Sequence, residues 1–261
     1  MSVGKQMRME RIFQGDGKAL VVAMDHGSFM PVPGFEDPRK TIEPILAGGA
    51  DAVMTTFGIA THYGELVARR AGLIMRLDGG VTVLGPKRES ILQLFSVEDA
   101  LKVGADAVIC MGYVGSSGES ETLGYLARIS GACKDWGVPL LAEMLPMGEE
   151  KTSVDDVKLA ARIGAELGAD FIKTTYTGDP ETFKEVTDAC FVPVLILGGS
   201  KMRTDEEVLT TVRGAMDGGA AGVCMGRNIW QHKNPQKITR AIARIIHEDC
   251  TVKEALKELS P

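Results

Sequence analysis

Apolar and polar positions fall into blocks along the chain. Four apolar runs, Ala19 to Met24, Gly72 to Leu77, Pro139 to Leu145 and Val192 to Leu197, alternate with copies of a short repeat. Gly49-Ala50-Asp51-Ala52-Val53 recurs as Gly104-Ala105-Asp106-Ala107-Val108, as Gly168-Ala169-Asp170-Phe171-Ile172 and, more loosely, as Gly219-Ala220-Ala221-Gly222-Val223. An amphipathic segment precedes the glycine of each copy and a short apolar run follows it. Glycine just past a helix adopts the left-handed cap conformation, and a β-branched run beyond it favours a strand, so each copy predicts a helix-to-strand turn. The two sets together predict eight strands with helices between them.

The unbroken apolar character of Val21-Val22-Ala23-Met24 and Val194-Leu195-Ile196-Leu197 fits parallel strands buried on both faces. Alternating strands and helices give an α/β fold, and the count of eight selects a TIM (β/α)8 barrel over an open doubly wound sheet. A length of 261 residues suits one such domain over 1–261, with a short polar lead and a closing helix from Val252 to Leu259. No linker or low-complexity tract marks a second domain.

Composition changes this picture little. The 44% hydrophobic and 25% charged residues are ordinary for a soluble globular protein, while 31 glycines imply many tight turns or close backbone approaches. The formal net charge of -6 argues against nucleic acid or an anionic membrane as the main partner, leaving a local basic pocket open. Cys110, Cys133, Cys190, Cys224 and Cys250 are odd in number and form no Cys-x-x-Cys pair, which fits reduced thiols in a cytoplasmic protein. Met1 to Arg11 is polar, unlike a signal peptide, and no uncharged run is long enough to span a bilayer.

Barrel chemistry sits at the carboxyl ends of the strands. There the chain offers Asp25-His26-Gly27 after strand 1, Arg76-Leu77-Asp78 after strand 3, Glu143 on strand 5 and Lys173 on strand 6. Strands 7 and 8 end in Gly198-Gly199-Ser200-Lys201 and Gly226-Arg227-Asn228. Lys173 is the sharpest signal, because it follows Phe171 and Ile172 inside an apolar strand and alternation points it into the barrel mouth. Desolvation can lower a lysine pKa to about 7–8, and a neutral amine can form a Schiff base with a ketone. The alternative is a strand-end lysine paired with Asp25 or Glu143 merely to satisfy charge. Asp25 could take and return protons during carbinolamine formation, or cap a turn. Glu143 must face the interior to avoid burial among the helices, as an acid/base or as half of an ion pair.

The glycine segments after strands 7 and 8 have a separate logic. Backbone N–H groups of a tight turn attract phosphate, and barrels often place a phosphate site there. Lys201 and Arg227 would add cationic contacts, and ordinary βα turns are the alternative. There is no Gly-x-x-x-x-Gly-Lys-Ser/Thr loop and no His-Glu-x-x-His helix, and Gly112-x-x-Gly115-x-x-Gly118 has the wrong spacing for a dinucleotide turn and reads as a flexible loop. The histidines at 26, 62, 232 and 247 lack ligand spacing, so no metal is expected. His26 remains a candidate proton relay or substrate contact. Met24, Met54, Met75, Met111, Met144 and Met225 fall within strands and read as core filling.

Ala23-Met24-Asp25-His26-Gly27, Gly168 to Thr174, Leu197-Gly198-Gly199-Ser200-Lys201 and Gly226 to Gln231 resemble the archaeal-type class I fructose-bisphosphate aldolase family. That group also holds aminodideoxyheptulosonate synthases and a thiolase-like enzyme of autoinducer-2 breakdown. The resemblance spans nearly the whole chain. It implies Lys173 as Schiff-base nucleophile, Asp25 as proton shuttle, and Gly199, Ser200, Gly226 and Arg227 as contacts to a phosphorylated carbonyl substrate. It implies a homo-oligomer, a pentamer or decamer, and no cofactor.

One departure stands out. Where the family carries an aromatic residue, one further residue and Tyr-Pro-Arg-Gly at the end of strand 5, this chain reads Glu143-Met144-Leu145-Pro146-Met147-Gly148. Leu145 occupies the tyrosine position and cannot move a proton. Glu143 is the replacement candidate, with Tyr176 a weaker one. The departure points away from fructose 1,6-bisphosphate and toward another phosphorylated ketose or ketone. Acyl transfer through the same lysine and a binding-only barrel are the remaining alternatives.

Overall fold

The computed structural model describes residues 2–85, 91–147 and 153–260. Eight parallel strands close into a barrel: β1 (Ala19–Ala23), β2 (Ala52–Thr55), β3 (Gly72–Arg76), β4 (Ala107–Val114), β5 (Leu140–Pro146), β6 (Phe171–Thr174), β7 (Val194–Leu197) and β8 (Gly222–Met225). Neighbours in the barrel are neighbours in the chain, and β8 returns to β1 through the pairs Ala19↔Gly222 to Val22↔Met225. The helices begin where a small polar residue closes the first turn. Asp37, Thr56, Ser96, Ser153, Asp179 and Thr204 each accept a first-turn N–H.

Side-chain alternation splits the core in two. Val21, Ile74, Ile109, Leu141, Phe171 and Leu195 fill the barrel axis, while Leu20, Val22, Val53, Leu73, Val108 and Ile172 pack outward against the helices. Phe171 is fully buried, which stabilises by about 1.5–3 kcal/mol.

The Gly-Ala-Asp repeat has a structural reason. Gly49, Gly104, Gly168 and Gly219 have φ of 96°, 80°, 93° and 85°, the left-handed turn that ends each helix. The aspartates then latch onto the preceding strand of the repeat pair. Asp51 Oδ2 accepts from Leu20 N at 2.6 Å, Asp106 Oδ2 from Leu73 N at 2.9 Å and Asp170 Oδ2 from Leu140 N at 2.8 Å. Each carboxylate also meets a basic group: His247 Nε2 at 3.0 Å, Arg11 Nε at 2.7 Å and Lys5 Nζ at 2.8 Å, respectively. The fourth copy has Ala221 in place of the aspartate.

The polar lead folds into a helix, Val3–Met9, and the chain then drives Ile12 and Phe13 into the amino end of the barrel. Phe13 meets Phe171 edge-on, with ring centroids 5.3 Å apart. Two expectations change. The closing helix is only one α turn, Val252–Ala255, continued as a 3₁₀ turn, Leu256–Leu259. The glycine triplet is a loop only in part: Gly115 and Gly118 lie in the turn after β4, but Gly112 lies inside β4, where a Cβ would stand 2.6 Å from Met144 Sδ on β5. Packing between strands, not flexibility, accounts for that glycine.

All five cysteines are buried free thiols. Among the described residues no helix is long and apolar enough to cross a membrane.

Candidate active site

Alternation aims the polar strand-end residues inward. Phe171 on β6 lies on the axis and so does Lys173 two residues on; Leu141 places Glu143, Ile74 places Arg76 and Ala23 places Asp25. Asp25, Arg76, Asp78, Glu143 and Lys173 are all buried and line one cavity of about 290 Å³. Its remaining wall includes His26, Phe29, Val81, Ile91, Met111, Tyr113 and Leu145.

Arg76 is the hub. Its Nε donates to Asp25 Oδ2 at 2.5 Å, its Nη1 to Asp78 Oδ1 at 2.8 Å, and its Nη2 to Glu143 Oε2. The other Glu143 oxygen, Oε1, lies 2.7 Å from Lys173 Nζ. Two cations thus share three carboxylates among buried side chains, where an unpaired charge would be costly. Asp78 Oδ2 further accepts from Met111 N at 2.5 Å, tying the cluster to β4.

Burial pushes the Lys173 ammonium toward its neutral form, but the negative partners Cys224, Glu143 and Asp25 more than offset it, and the group sits above the ordinary lysine value. The Cys224 thiol is itself pushed up to about 12 by burial and is uncharged at neutral pH, so the carboxylates carry the effect. This corrects the expectation of a lysine depressed by desolvation: the pairing that holds Lys173 in the barrel also holds its proton. Burial raises the Glu143 carboxyl, and Lys173 and Arg76 together bring it below its usual value. Asp25 is likewise lowered, by Arg76 and Lys173 against burial. Asp78 goes the other way, because its burial outweighs Arg76 and the Met111 amide.

Asp25 makes no side-chain cap to the short turn that follows it, His26–Ser28, so the capping alternative falls away. His26 packs on Phe29 and Trp230, with both centroid distances 5.6 Å. Its Nδ1 stands 3.5 Å from Asp25 Oδ1 without a hydrogen bond. Burial lowers its pKa, with Lys173 and Arg227 adding to the effect, so the imidazole is neutral at pH 7.

The two glycine loops meet beside His26. Asn228 Nδ2 donates to Gly198 O at 2.8 Å and to Ser200 O at 3.3 Å, and its Oδ1 accepts from Met202 N at 2.7 Å. Arg227 Nη2 donates to Gly199 O at 2.9 Å. Gly226 is wedged so closely that a Cβ would lie 2.6 Å from both Ala23 O and His26 Cε1. Gly199 and Ser200 are exposed and Gly226 is buried. Lys201 turns away: its Nζ donates to Gln231 O at 2.8 Å, and it lines outer grooves instead of the central cavity.

Tyr176 is also elsewhere. Its ring packs against Phe183 at 5.3 Å, outside the barrel, so it cannot replace the absent tyrosine. Met111 lines the cavity, correcting its reading as core filling. Sequence reasoning listed Arg76 and Asp78 without a role and passed over Tyr113; an arginine ending the apolar run Gly72-Leu73-Ile74-Met75 was the available signal for Arg76.

Comparison with known proteins gives a consistent likeness. Residues 19–232 match the family model described as DeoC/LacD family aldolase. The chain is 40% identical over 256 residues to the 2-amino-3,7-dideoxy-D-threo-hept-6-ulosonate synthase of Halobacterium salinarum, covering 97% of this chain and 95% of that one. It is 37% identical over 272 residues to an uncharacterized aldolase of Saccharolobus solfataricus, covering 98% and 99%. Among solved structures, one from a structural analysis of the reaction intermediates of a Schiff-base-forming fructose-1,6-bisphosphate aldolase superposes with TM-score 0.85 at 35% identity, covering 93% of this chain and 100% of that one.

Proposed function

The chain belongs to the DeoC/LacD family of aldolases, and from that premise we propose that it acts on a phosphorylated ketose or related ketone, held as a Schiff base on Lys173. The observation that carries this reading is the buried Lys173 Nζ, 2.7 Å from Glu143 Oε1 on the wall of the cavity that Asp25, Arg76 and Glu143 also line.

Neutralising an ordinary lysine at pH 7 costs about 5 kcal/mol, and the raised Lys173 costs more. The proton therefore leaves inside the network, from Nζ to Glu143 Oε1. The free amine attacks the ketone carbon, forming the C–N bond as the carbonyl pair moves to oxygen. The carbinolamine nitrogen then gives its second proton to the Asp25 carboxylate, and Asp25 and Glu143, each now protonated, deliver the two protons that turn that oxygen into water and so return to carboxylates. The resulting iminium is again a cation at Nζ, so the carboxylates that held the ammonium also hold the intermediate. The iminium accepts the electron pair of the breaking C–C bond and becomes an enamine, which returns the pair to an aldehyde in the reverse direction.

Glu143 thus fits a base for Lys173 better than a replacement for the missing acid, because both its oxygens already face cations. The backbone of Gly198, Gly199, Ser200 and Gly226, with Arg227, is the proposed phosphate cradle; His26 lines the path between it and Lys173. The synthase and aldolase names of the relatives favour carbon–carbon chemistry over acyl transfer or mere binding. Leu145 at the expected tyrosine position favours a substrate other than fructose 1,6-bisphosphate.

Borohydride trapping with dihydroxyacetone phosphate and a panel of phosphorylated ketoses, read by intact mass and peptide mapping, tests this. A reduced adduct on Lys173, absent from Lys173→Ala, supports the reading; wild type unlabelled by the whole panel removes it.

A further inference from the structure

We infer that Tyr113 is the general acid of the carbon–carbon step, working from β4 in the place that Leu145 leaves empty on β5. The inference rests on the Schiff-base reading of Lys173.

In the β4–β5 register Met111 is the partner of Glu143 and Tyr113 the partner of Leu145. Ile109, two and four residues before Met111 and Tyr113, lies on the barrel axis, and alternation therefore turns both inward. Both Tyr113 and Leu145 line the cavity that contains Lys173. A phenol carried by Tyr113 thus enters the same space, from the adjacent strand, at the same height as one carried at position 145.

The carboxylates of the cavity are occupied. Asp25 is bound by Arg76, Asp78 by Arg76 and the Met111 amide, and Glu143 by Arg76 and Lys173. The backbone that carries Tyr113 is fixed: its N–H donates to Thr122 Oγ1 at 3.2 Å, its carbonyl accepts from Ser116 Oγ at 3.4 Å, and Gly112 packs on Met144. Burial, with the charges of Asp78 and Glu143 nearby, keeps the phenol protonated at neutral pH.

In condensation the enamine pair forms the new C–C bond to the aldehyde carbon, and the aldehyde π pair moves to its oxygen. The Tyr113 O–H bond breaks and gives that oxygen its proton. The phenolate left behind lies near Arg76 and regains a proton from water at the cavity mouth. In cleavage the steps run backwards: the phenol first gives its proton to water at the cavity mouth, and the phenolate takes the hydroxyl proton as the C–C bond opens.

The test compares wild type, Tyr113→Phe and the double variant Tyr113→Phe/Leu145→Tyr. Three rates are read with dihydroxyacetone phosphate: borohydride trapping on Lys173, deuterium exchange at the donor carbon in D₂O, and condensation with acetaldehyde, glyceraldehyde and glyceraldehyde 3-phosphate. Tyr113→Phe should trap and exchange as wild type does, while condensation falls about 10²–10⁴-fold. The double variant should recover part of that loss, since the phenol returns from the neighbouring strand. Condensation by Tyr113→Phe at the wild-type rate overturns the inference, as does a parallel fall in all three rates. Wild type that traps but condenses no aldehyde overturns it too. Wild type that does not trap at all instead removes the Schiff-base reading beneath it.

Discussion

Glu143 and Lys173 are register partners across β5 and β6, and their side chains meet at 2.7 Å inside the barrel. Thirty residues apart in sequence, they form a pair in which, on the proposed reading, the base is already in contact with the proton it removes. Glu143→Gln keeps the shape and removes the base. Adduct formation at neutral pH should slow by about 10²–10⁴-fold, read by quenched-flow borohydride trapping. An unchanged trapping rate would take Glu143 out of the activation of Lys173.

Arg76 holds three carboxylates at once. Arg76→Met leaves Asp25, Asp78 and Glu143 facing Lys173 alone, and breaking a buried pair of this kind costs about 3–5 kcal/mol. Urea melts of the variant should show that loss, and raising the pH should deepen it as the carboxyls ionise. Asp25 and Glu143, now held low partly by Arg76, should titrate at higher pH in the variant. A melt within error of wild type contradicts the hub role.

His247 gives the fold a pH dependence of definite sign. The hydrogen bond to Asp51, then that to Asp16, raises its pKa against the opposing effect of burial. Because the folded value exceeds the unfolded one, near 6.5, its stabilisation is complete below about pH 6.5 and fades as pH rises through the folded value. The stability difference between wild type and His247→Ala should therefore be larger at pH 5.5 than at pH 9. Equal differences at both pH values would show that the imidazolium contributes nothing.

Gly226 has no room for a methyl group. Gly226→Ala drives a Cβ against the Ala23 carbonyl and His26, and such overpacking costs about 1–3 kcal/mol. Relief by movement of the β8 loop would disturb the proposed phosphate cradle. KM for a phosphorylated substrate should rise more than kcat falls, and binding of inorganic phosphate, followed by calorimetry, should weaken. Phosphate bound as tightly as by wild type would place the anion elsewhere.

The barrel was legible because its signals are local. A glycine turn and a following apolar run lie within five residues, and the same pattern appears in four copies. Lys173, Asp25 and Glu143 were legible for a related reason: a charge in an apolar strand has one sensible direction to face. What the sequence hid was pairing between strands. The proton affinity of Lys173 depends on Glu143 and Asp25, thirty and about 150 residues away along the chain, so burial alone suggested the wrong direction. Gly112 looked like part of a loop because Met144, the side chain that excludes a Cβ there, belongs to another strand. Tyr113 was missed with it. Lys201 and Arg227 look alike as cations beside glycines, yet the first turns to Gln231 and the second to Gly199. That choice is made by the fold around Asn228.

Ile12 and Phe13 fill the amino end of the barrel, and Phe171 stands on them two residues before Lys173 on the same strand. Among the described residues, the lysine is therefore reached from one side, like the end of a blind corridor. On the proposed reading, donor, aldehyde and the water released as the imine forms use the same doorway. If Lys173 holds the ketone as proposed, the first substrate to enter occupies the innermost place and the second the entrance, and ordered kinetics follow from a plug at the opposite end of the barrel.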